Sequence, residues 1–582
     1  MDRQGWIAVI LCIAGLVAWQ MLYVKQSDKQ RRAAPAATAA TATPGASPAT
    51  PGIPPTPAPP TPPTFQSATP PASQTVKVAA REAEYIFGNN AGGIERVILL
   101  LHFAERKEPV FLNSERAFPI GALGFQPGEI AGGFAMAAEP GRGSVVFRKV
   151  EEDGLEITKR FTTPPRDATN PYLVGLTVEF QNTGEKPLSR GSFFVSTGGA
   201  APIHASDLPM YTKFVWMHAG KMTGIDVNWF KPGGIPFLGL QWSGPKTLYH
   251  ETKPDVTWAG VTSQYFATLV TTQGNKGSQV WAGRFEAPKP GKAPSFGMQG
   301  ALGFPGFHLE PGEKSIEELT VYAGPKNLSL LKKLGGGQDR ALNFGMFGIV
   351  SEVLLWTMNR LYGVFHNYAA AIIVLTLIIK SLLWPIQNKA TREMRKMAAL
   401  SPKMTELRTK YKDEPQKLNE EMMKMYREYG VNPFSGCLPM LIQIPIFFGF
   451  YAMLGSAIEL RNSSFLWVQD LSQPDTLFRI MGFPVNILPI IMAGSMVWQM
   501  VITPKSGDAM QQRLFYFMPI IFLAFCYNYA SGLALYWTTQ NIFSIVQLYL
   551  TRNRPLPELE KKSVIAKREA AAAKKKKRQK PF

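Results

Sequence analysis

Six strongly apolar runs punctuate the chain. Trp6 to Val24 holds 19 residues without a charge, and at about 1.5 Å per residue it covers roughly the 30 Å hydrocarbon layer of a bilayer. Five more runs follow in the C-terminal half: Tyr368 to Pro385, Leu438 to Ile458, Val485 to Ile502, Leu514 to Tyr529 and Gly532 to Leu550. Together they predict six membrane-spanning helices. The last two abut at Ala530-Ser531-Gly532, and Leu514 to Tyr529 has only 16 residues, which predicts a locally thin bilayer. For the first run, the small-residue segment Ala37-Thr38-Ala39 lies over ten residues past its end, too far for a signal-peptidase site, so residues 1–24 read as a retained anchor. Leu11 before Cys12, and the continuation of the run beyond that cysteine, argue against lipidation.

Between the first and second runs the texture changes twice. Ala33 to Gln74 is almost entirely Ala, Pro and Thr, with thirteen prolines, so residues 25–74 read as an extended tether with no apolar surface to bury. Short β-like runs then alternate with Gly, Pro and Asn: Ile94 to Phe103, Leu155 to Phe161, Tyr172 to Gln181, Tyr265 to Thr272, Val280 to Phe285 and Ser315 to Tyr322. Residues 75–342 are therefore expected to form one large antiparallel β-sandwich. From Asn343 apolar residues recur at three- and four-residue steps (Phe344, Phe347, Leu354, Met358, Leu361, Phe365), predicting an amphipathic helix over 343–366. It either lies in the membrane interface or caps the sandwich.

Composition supports a membrane class: 46% of residues are hydrophobic and 18% charged, against about 25% charged in soluble proteins. The formal charge of +20 is unevenly spread. Lys389 to Arg427 carries eleven Lys/Arg and Arg552 to Lys580 twelve, whereas Glu459 to Gly482 carries two. Basic loops stay cytoplasmic, so both termini are expected inside and the β domain outside, in the periplasm of a Gram-negative cell. Lys25, Lys29, Arg31 and Arg32 just after the first run oppose this orientation, but long domains translocate largely regardless of charge. Three cysteines, Cys12, Cys437 and Cys526, all beside apolar runs, leave the β domain with neither a disulfide framework nor a Cys-based zinc site.

Lys380 is the one residue within these runs that demands explanation. A charge at mid-span costs about 2.5–3.5 kcal/mol on insertion scales, so Lys380 either snorkels to the cytoplasmic headgroups or faces a wet cavity. Thr376, Gln443, Gln499, Thr538, Gln540 and Asn541 are candidates to line such a cavity, although each alone is more often a helix-packing contact. No Asp or Glu lies in the core of any run, which disfavours proton-coupled transport. Gly220-Lys221 and Gly291-Lys292 lack the following Ser or Thr of a P-loop, and six scattered histidines form no HExxH pair, so neither nucleotide nor zinc chemistry has a motif. No cofactor, metal or enzymatic activity is expected. Residues 389–430 read as a cytoplasmic helical hairpin broken near Lys412 to Pro415, with Met394, Met397, Met404, Leu407, Met422, Met423 and Met425 as an adaptable apolar set. The tail, 552–582, ends in Lys574, Lys575, Lys576, Lys577 and Arg578, a cluster suited to ribosomal RNA or anionic lipid.

Three segments carry a resemblance. Lys380-Ser-Leu-Leu-Trp-Pro385, Val431-Asn-Pro-Phe-Ser-Gly-Cys-Leu-Pro439 leading into Gln443-Ile-Pro-Ile-Phe447, and Met510-Gln-Gln-Arg513 with Phe517-Met-Pro519 and Ser531-Gly-Leu-Ala-Leu-Tyr-Trp537 resemble the YidC membrane-protein insertase family. With the anchor, tether, β domain and basic tail, the resemblance covers essentially the whole chain and is similar to the Gram-negative branch. It implies a multi-span α-helical membrane protein with a conserved five-helix core over 367–551, a hydrophilic groove open to cytoplasm and lipid, and a periplasmic β-super-sandwich domain like that of sugar mutarotases. It also implies insertion and folding of nascent membrane proteins in the inner membrane, alone or with the Sec translocon. Its other implied partners are the ribosome, a targeting particle or receptor, and membrane lipids. By that resemblance Lys380 stands where the family usually has arginine, keeping the charge but losing the planar fork, and Trp537 joins the groove residues. Phe447, Phe448 and Met453 on one span and Phe517, Ile521 and Phe525 on another become a slide for apolar substrate segments. Two other classes compete: a membrane-anchored periplasmic carbohydrate-binding or processing protein, and a solute transporter.

Overall fold

The computed structural model describes residues 73–552 except 105–107, 114–115, 140–142, 205–206, 236–239, 288–294, 432–437, 482 and 504–508. The first apolar run, nearly all of the tether, and the basic tail lie outside the described residues. The chain divides into two compact units at Gly324/Pro325, so the segment from Pro325 to Leu342, expected in the β domain, groups with the helical unit.

The first unit is a large β-sandwich region: thirteen strands hydrogen-bond into one sheet and four N-terminal strands into another, and the described pairings are antiparallel. Each predicted strand is present, with ends shifted by at most three residues. Leu173–Asn182 alternates half-buried and buried positions along its whole length, and it pairs with Leu155–Thr162 on one side and Lys314–Pro325 on the other. Strict period-2 burial of this kind is what fixes register, because a one-residue slip would turn Val174, Leu176, Val178 and Phe180 outward.

Strands the sequence pattern does not announce, Phe193–Ala200 and Ser295–Phe304, pair with each other and are rich in glycine. Glycine weakens an isolated strand, but here the three glycines of Ser295–Phe304 each leave room for an aromatic ring lying across the sheet. A Cβ on Gly297 would sit 2.2 Å from the Phe285 ring, on Gly300 2.5 Å from the Phe214 ring, and on Gly303 2.6 Å from the Phe194 ring. Lys159, wholly buried, ties two turns together by donating to the Ala91 and Gly121 carbonyls at 2.8 and 3.3 Å, with its ammonium 4.1 Å from the Phe134 ring centre.

The second unit is helical. We label α1 Gly348–Phe365, α2 Tyr368–Lys410, α3 Pro415–Tyr429, α4 Leu438–Ser456, α5 Ile487–Ile502, α6 Ala509–Cys526 and α7 Ser531–Arg552. The helix predicted over 343–366 starts later, at Gly348, because Asn343 and Gly345 adopt positive φ, leaving Phe344 between two short 3-10 turns and Phe347 in the second of them. One face of α1 buries Leu354, Leu355 and Met358. Its close approach to α4 uses Gly449, where a Cβ would meet Val350 at 2.8 Å, and Ser351 Oγ donates to the Gly449 carbonyl at 3.0 Å. The opposite face is also apolar, with Ile349, Val353, Trp356 and Val364 exposed.

α2 differs most from expectation. Its 43 residues extend about 65 Å, so the apolar run from Tyr368 and the first arm of the predicted hairpin are one helix carried through Pro385 and Pro402. Asn367 caps its start by accepting from the Ala370 N–H at 3.0 Å. The break predicted between Lys412 and Pro415 is present, and α3 opens on Pro415, the first-turn position where proline costs no hydrogen bond. Among the described residues α2 is the one helix both long and apolar enough to cross a membrane. Leu441–Ser456, Ile487–Ile502 and Tyr516–Cys526 are apolar but shorter.

Replacing Gly300 with alanine tests the ring-over-glycine account, since its Cβ would also meet the Trp281 carbonyl oxygen at 2.6 Å, a backbone atom that cannot rotate away. Gly300→Ala is expected to destabilise the β domain by about 1–3 kcal/mol, read as a lower midpoint in tryptophan-fluorescence melts of the detergent-solubilised protein. Gly274→Ala, with nothing within 4 Å, should leave the midpoint unchanged.

Candidate functional site

The last helix organises the site. Along α7 the residues Tyr536, Gln540, Ser544, Gln547 and Thr551 recur at steps of four, four, three and four, and all are buried, as are Thr538 and Asn541 beside them. Its outer face carries Ile542, Val546, Tyr549 and Leu550, each 44–66% exposed. Polar groups point in and apolar groups out, the reverse of a helix on a water-soluble protein.

Around that stripe the neighbouring helices supply partners. Lys380 on α2 donates to Ser544 Oγ at 3.3 Å. Gln443 on α4 donates to both Tyr536 Oη and Gln540 Oε1 at 2.9 Å. Asn541 reaches α5, donating to Ser495 Oγ at 2.9 Å, and Gln547 donates to Asn388 Oδ1 on α2 at 3.0 Å. Thr376 and Thr538 are buried but turn their hydroxyls back to the carbonyls of Ile372 and Ala534 in their own helices. Gln499 is half-buried one turn beyond Ser495 and makes no side-chain hydrogen bond among the described residues. Lys380, Gln443, Gln540 and Asn541 thus come together along α7, while Gln499 stays outside the network. Ser544, Tyr536, Ser495, Asn388 and Gln547 were not anticipated; the helical period starting from Gln540 is the signal that reaches Ser544, Gln547 and Tyr536.

Two of the buried lysines, Lys159 and Lys380, are differently served. An ammonium has three protons to donate. Lys159 spends two on carbonyls and faces an aromatic ring, a closed structural arrangement. Lys380 has the single long contact to Ser544, and no carboxylate lies within 4.0 Å of it among the described residues. Its remaining donors need water or an incoming acceptor, which is the arrangement of a cation held ready rather than consumed by the fold.

The slide candidates separate into two groups. Phe517, Ile521 and Phe525 lie along one exposed side of α6, 51–59% open. Phe447 is half-buried, with its ring 4.7 Å from Trp537 and 6.2 Å from Phe522, and Trp537 is 4.5 Å from Phe522. Trp537 is therefore part of an aromatic contact between α4, α6 and α7 rather than of the polar network. Phe448 is 40% exposed and stacks on Phe347. Met453 is fully buried, on the side of α4 that meets the bundle, so it offers no sliding surface.

In the hairpin of α2 and α3, Met404 and Met425 are buried with Leu400, Tyr426 and Val431, and Met397, Leu407 and Met422 pack against them. The methionine stripe joins α2 to α3. Met394 is half-buried and Met423 is 44% exposed. Lys574 to Arg578 lie outside the described residues.

On the other side of the bundle, the α4–α5 connection is pinned by a buried carboxylate: Asp475 Oδ2 accepts from the Leu488 N–H at 2.6 Å, at the start of α5, and from Trp467 Nε1 at 3.2 Å. Ser531 and Gly532 donate backbone N–H groups to the carbonyls of Gln473 and Leu471, both at 2.9 Å, fixing the start of α7 to the same connection.

Asn541→Leu removes the α7–α5 link while keeping volume, and is expected to cost about 0.6–2 kcal/mol, measured as earlier unfolding in a detergent-to-SDS titration. Ile542→Leu on the outer face should leave that titration unchanged.

Residues 360–558 match a family model described as 60Kd inner membrane protein, and residues 128–357 one described as YidC periplasmic domain. The membrane protein insertase YidC of Syntrophus aciditrophicus is 34% identical over 401 residues, 68% of this chain and 66% of that protein. That of Syntrophobacter fumaroxidans is 38% identical over 304 residues, 51% and 54%, and that of Geobacter sp. strain M21 28% identical over 482 residues, 80% and 83%. The chain thus spans between about half and four fifths of the length of these relatives. Among solved structures, an active YidC insertase with its first transmembrane domain resolved aligns at 18% identity over 83% of this chain and 93% of that one, with a TM-score of 0.34. A putative aldose 1-epimerase from Escherichia coli K12 aligns at 12% identity over 43% and 99%, with a TM-score of 0.27.

Proposed function

The chain belongs to the YidC family of inner-membrane proteins with a periplasmic domain, and we propose that its activity is that of a membrane protein insertase working through the α2–α4–α5–α7 interior. The observation that carries this reading is the inverted α7: a buried polar stripe ending on an under-satisfied cation, and an apolar face turned outward. A nascent helix with a short polar flank must take that flank across hydrocarbon, where each unpaired polar group costs several kcal/mol. Gln443, Gln540, Ser544 and Asn541 offer replacement hydrogen bonds along part of the path, and Lys380 attracts acidic residues of the flank. The apolar part of the substrate moves along Phe517, Ile521 and Phe525 into lipid, driven by burial in hydrocarbon. No nucleotide is required for transfer down that gradient.

In the same reading the spans number six, both termini are cytoplasmic and the β domain is periplasmic, as the basic segments favour. α1 lies in the interface, supported by its two apolar faces. Nascent membrane proteins are the substrates, and the Sec translocon, the ribosome, a targeting particle or receptor, and anionic lipids are proposed partners. The basic tail is the segment suited to ribosomal RNA.

Protease protection of a substrate with an acidic translocated tail, synthesised in the presence of proteoliposomes, tests the proposal. Lys380→Ala is expected to lower the protected fraction roughly fivefold, the effect of about 1 kcal/mol, and Lys380→Arg to retain it, because the charge is kept. Equal insertion by Ala and Arg variants present at wild-type amounts would remove the cation from the mechanism.

A further inference from the structure

A two-stranded hairpin, Thr476–Ile480 with Phe483–Asn486, stands in the connection between α4 and α5. Such a hairpin is marginal in water unless a face is covered, and no residue of its first strand is buried. Leu477 and Phe478 are each 50% exposed, Ile480 56%, Phe483 64%, and Met481 at the tip is fully open. Met481 also holds a φ of 50°, a conformation for which hairpin tips ordinarily use Asn, Asp or Gly. A bulky apolar side chain in that place is doubly unfavourable if water surrounds it.

The base is held firmly. Thr476 Oγ1 donates to Asn486 Oδ1 at 2.7 Å, Asn486 Nδ2 to the Tyr527 carbonyl at 2.6 Å, and Tyr527 Oη to the Pro484 carbonyl at 2.6 Å, with the Phe483 and Tyr527 rings 5.6 Å apart. The apolar tip is thus presented on a tied-down stem. Asn486 directly precedes α5, whose outward side chains Ile490, Ile491, Val497 and Trp498 are 41–53% exposed, so the hairpin extends the same apolar surface. Arg479 is the single charged residue between Asp475 and Lys505, on a stem long enough to snorkel.

We propose that this hairpin is seated in the lipid surface nearest the start of α5, with Leu477, Phe478, Ile480, Met481 and Phe483 among the acyl chains and Arg479 on a headgroup phosphate. The inference rests on the membrane placement of the helical unit. Lipid is the occupant because the hairpin surface continues the outward face of α5, and because a lone arginine beside five apolar side chains matches the layering of headgroup over hydrocarbon. The hairpin then sets the depth of α5 and, through Tyr527, of the α6–α7 turn.

The test uses the full chain with Cys12, Cys437 and Cys526 replaced by serine and a single cysteine at Met481, labelled with an environment-sensitive fluorophore. It is reconstituted in phosphatidylethanolamine and phosphatidylglycerol vesicles. Lipids carrying a nitroxide near the headgroup should quench the Met481→Cys label by at least about twofold, while aqueous iodide leaves it largely unquenched. Asn462→Cys, in an exposed turn, gives the water reference and Leu382→Cys on the outside of α2 the lipid reference. Iodide quenching equal to that at Asn462 overturns the proposal, as does quenching by neither agent, which means that protein covers the tip. If Leu382 fails to report lipid, the membrane placement falls with it; if Leu382 reports lipid and Met481 does not, the hairpin proposal alone fails.

Discussion

Hydrocarbon offers no hydrogen bonds, and the helical unit is arranged around that fact. A polar side chain facing lipid has no partner, so every such group in a span must turn inward and find one there. α7 shows the consequence in its most extended form: five buried polar or hydroxyl-bearing residues, Tyr536, Gln540, Ser544, Gln547 and Thr551, along one side and four exposed apolar ones on the outer face. The stripe lowers the hydropathy of α7, yet it supplies the contacts that hold α2, α4 and α5 around it. In the proposed function, the side chains that pack the bundle are also those that a substrate's polar flank meets.

Lys380 shows how such an interior is kept from closing. Lys159 in the β domain is also out of water, but two carbonyls and a ring complete its surroundings, and it serves to join two turns. Lys380 shares a single hydroxyl that the bundle does not otherwise need. A second strong acceptor, such as a carboxylate one turn away, would have made it a structural ion pair, costly to open. Leaving it short of partners keeps it available, at an energetic penalty the rest of the unit must cover.

Much of this was legible in the chain. Leu173–Asn182 alternates so strictly that strand, face and register follow from it, and the five C-terminal apolar runs fall on α2, α4, α5, α6 and α7. The glycine-rich strands were not legible, because the rings that justify Gly297, Gly300 and Gly303 come from residues distant in sequence, Phe285, Phe214 and Phe194. That the run from Tyr368 continues into the hairpin as one helix was not legible either, since flanking turns carry α2 through Pro385 and Pro402. In the site, Lys380 stood out because a charge in an apolar run has few explanations. Its partner Ser544 did not, since one serine in a span is ordinary until the period joining it to Gln540 and Gln547 is traced. Met453 was misplaced because hydrophobicity alone does not tell the lipid face of α4 from the face against its neighbours.

The central claim is that the polar inner side of α7 receives the substrate's polar flank while the outer side meets only apolar chain. Disulfide trapping in vesicles measures this directly, with the three native cysteines replaced, Ser544→Cys or Ile542→Cys in the insertase, and one cysteine in the flank of a stalled substrate. The account predicts mixed disulfide from the flank to position 544 and little to position 542. Capture at 542 as readily as at 544 would contradict it, placing the flank along the lipid surface instead of inside the bundle.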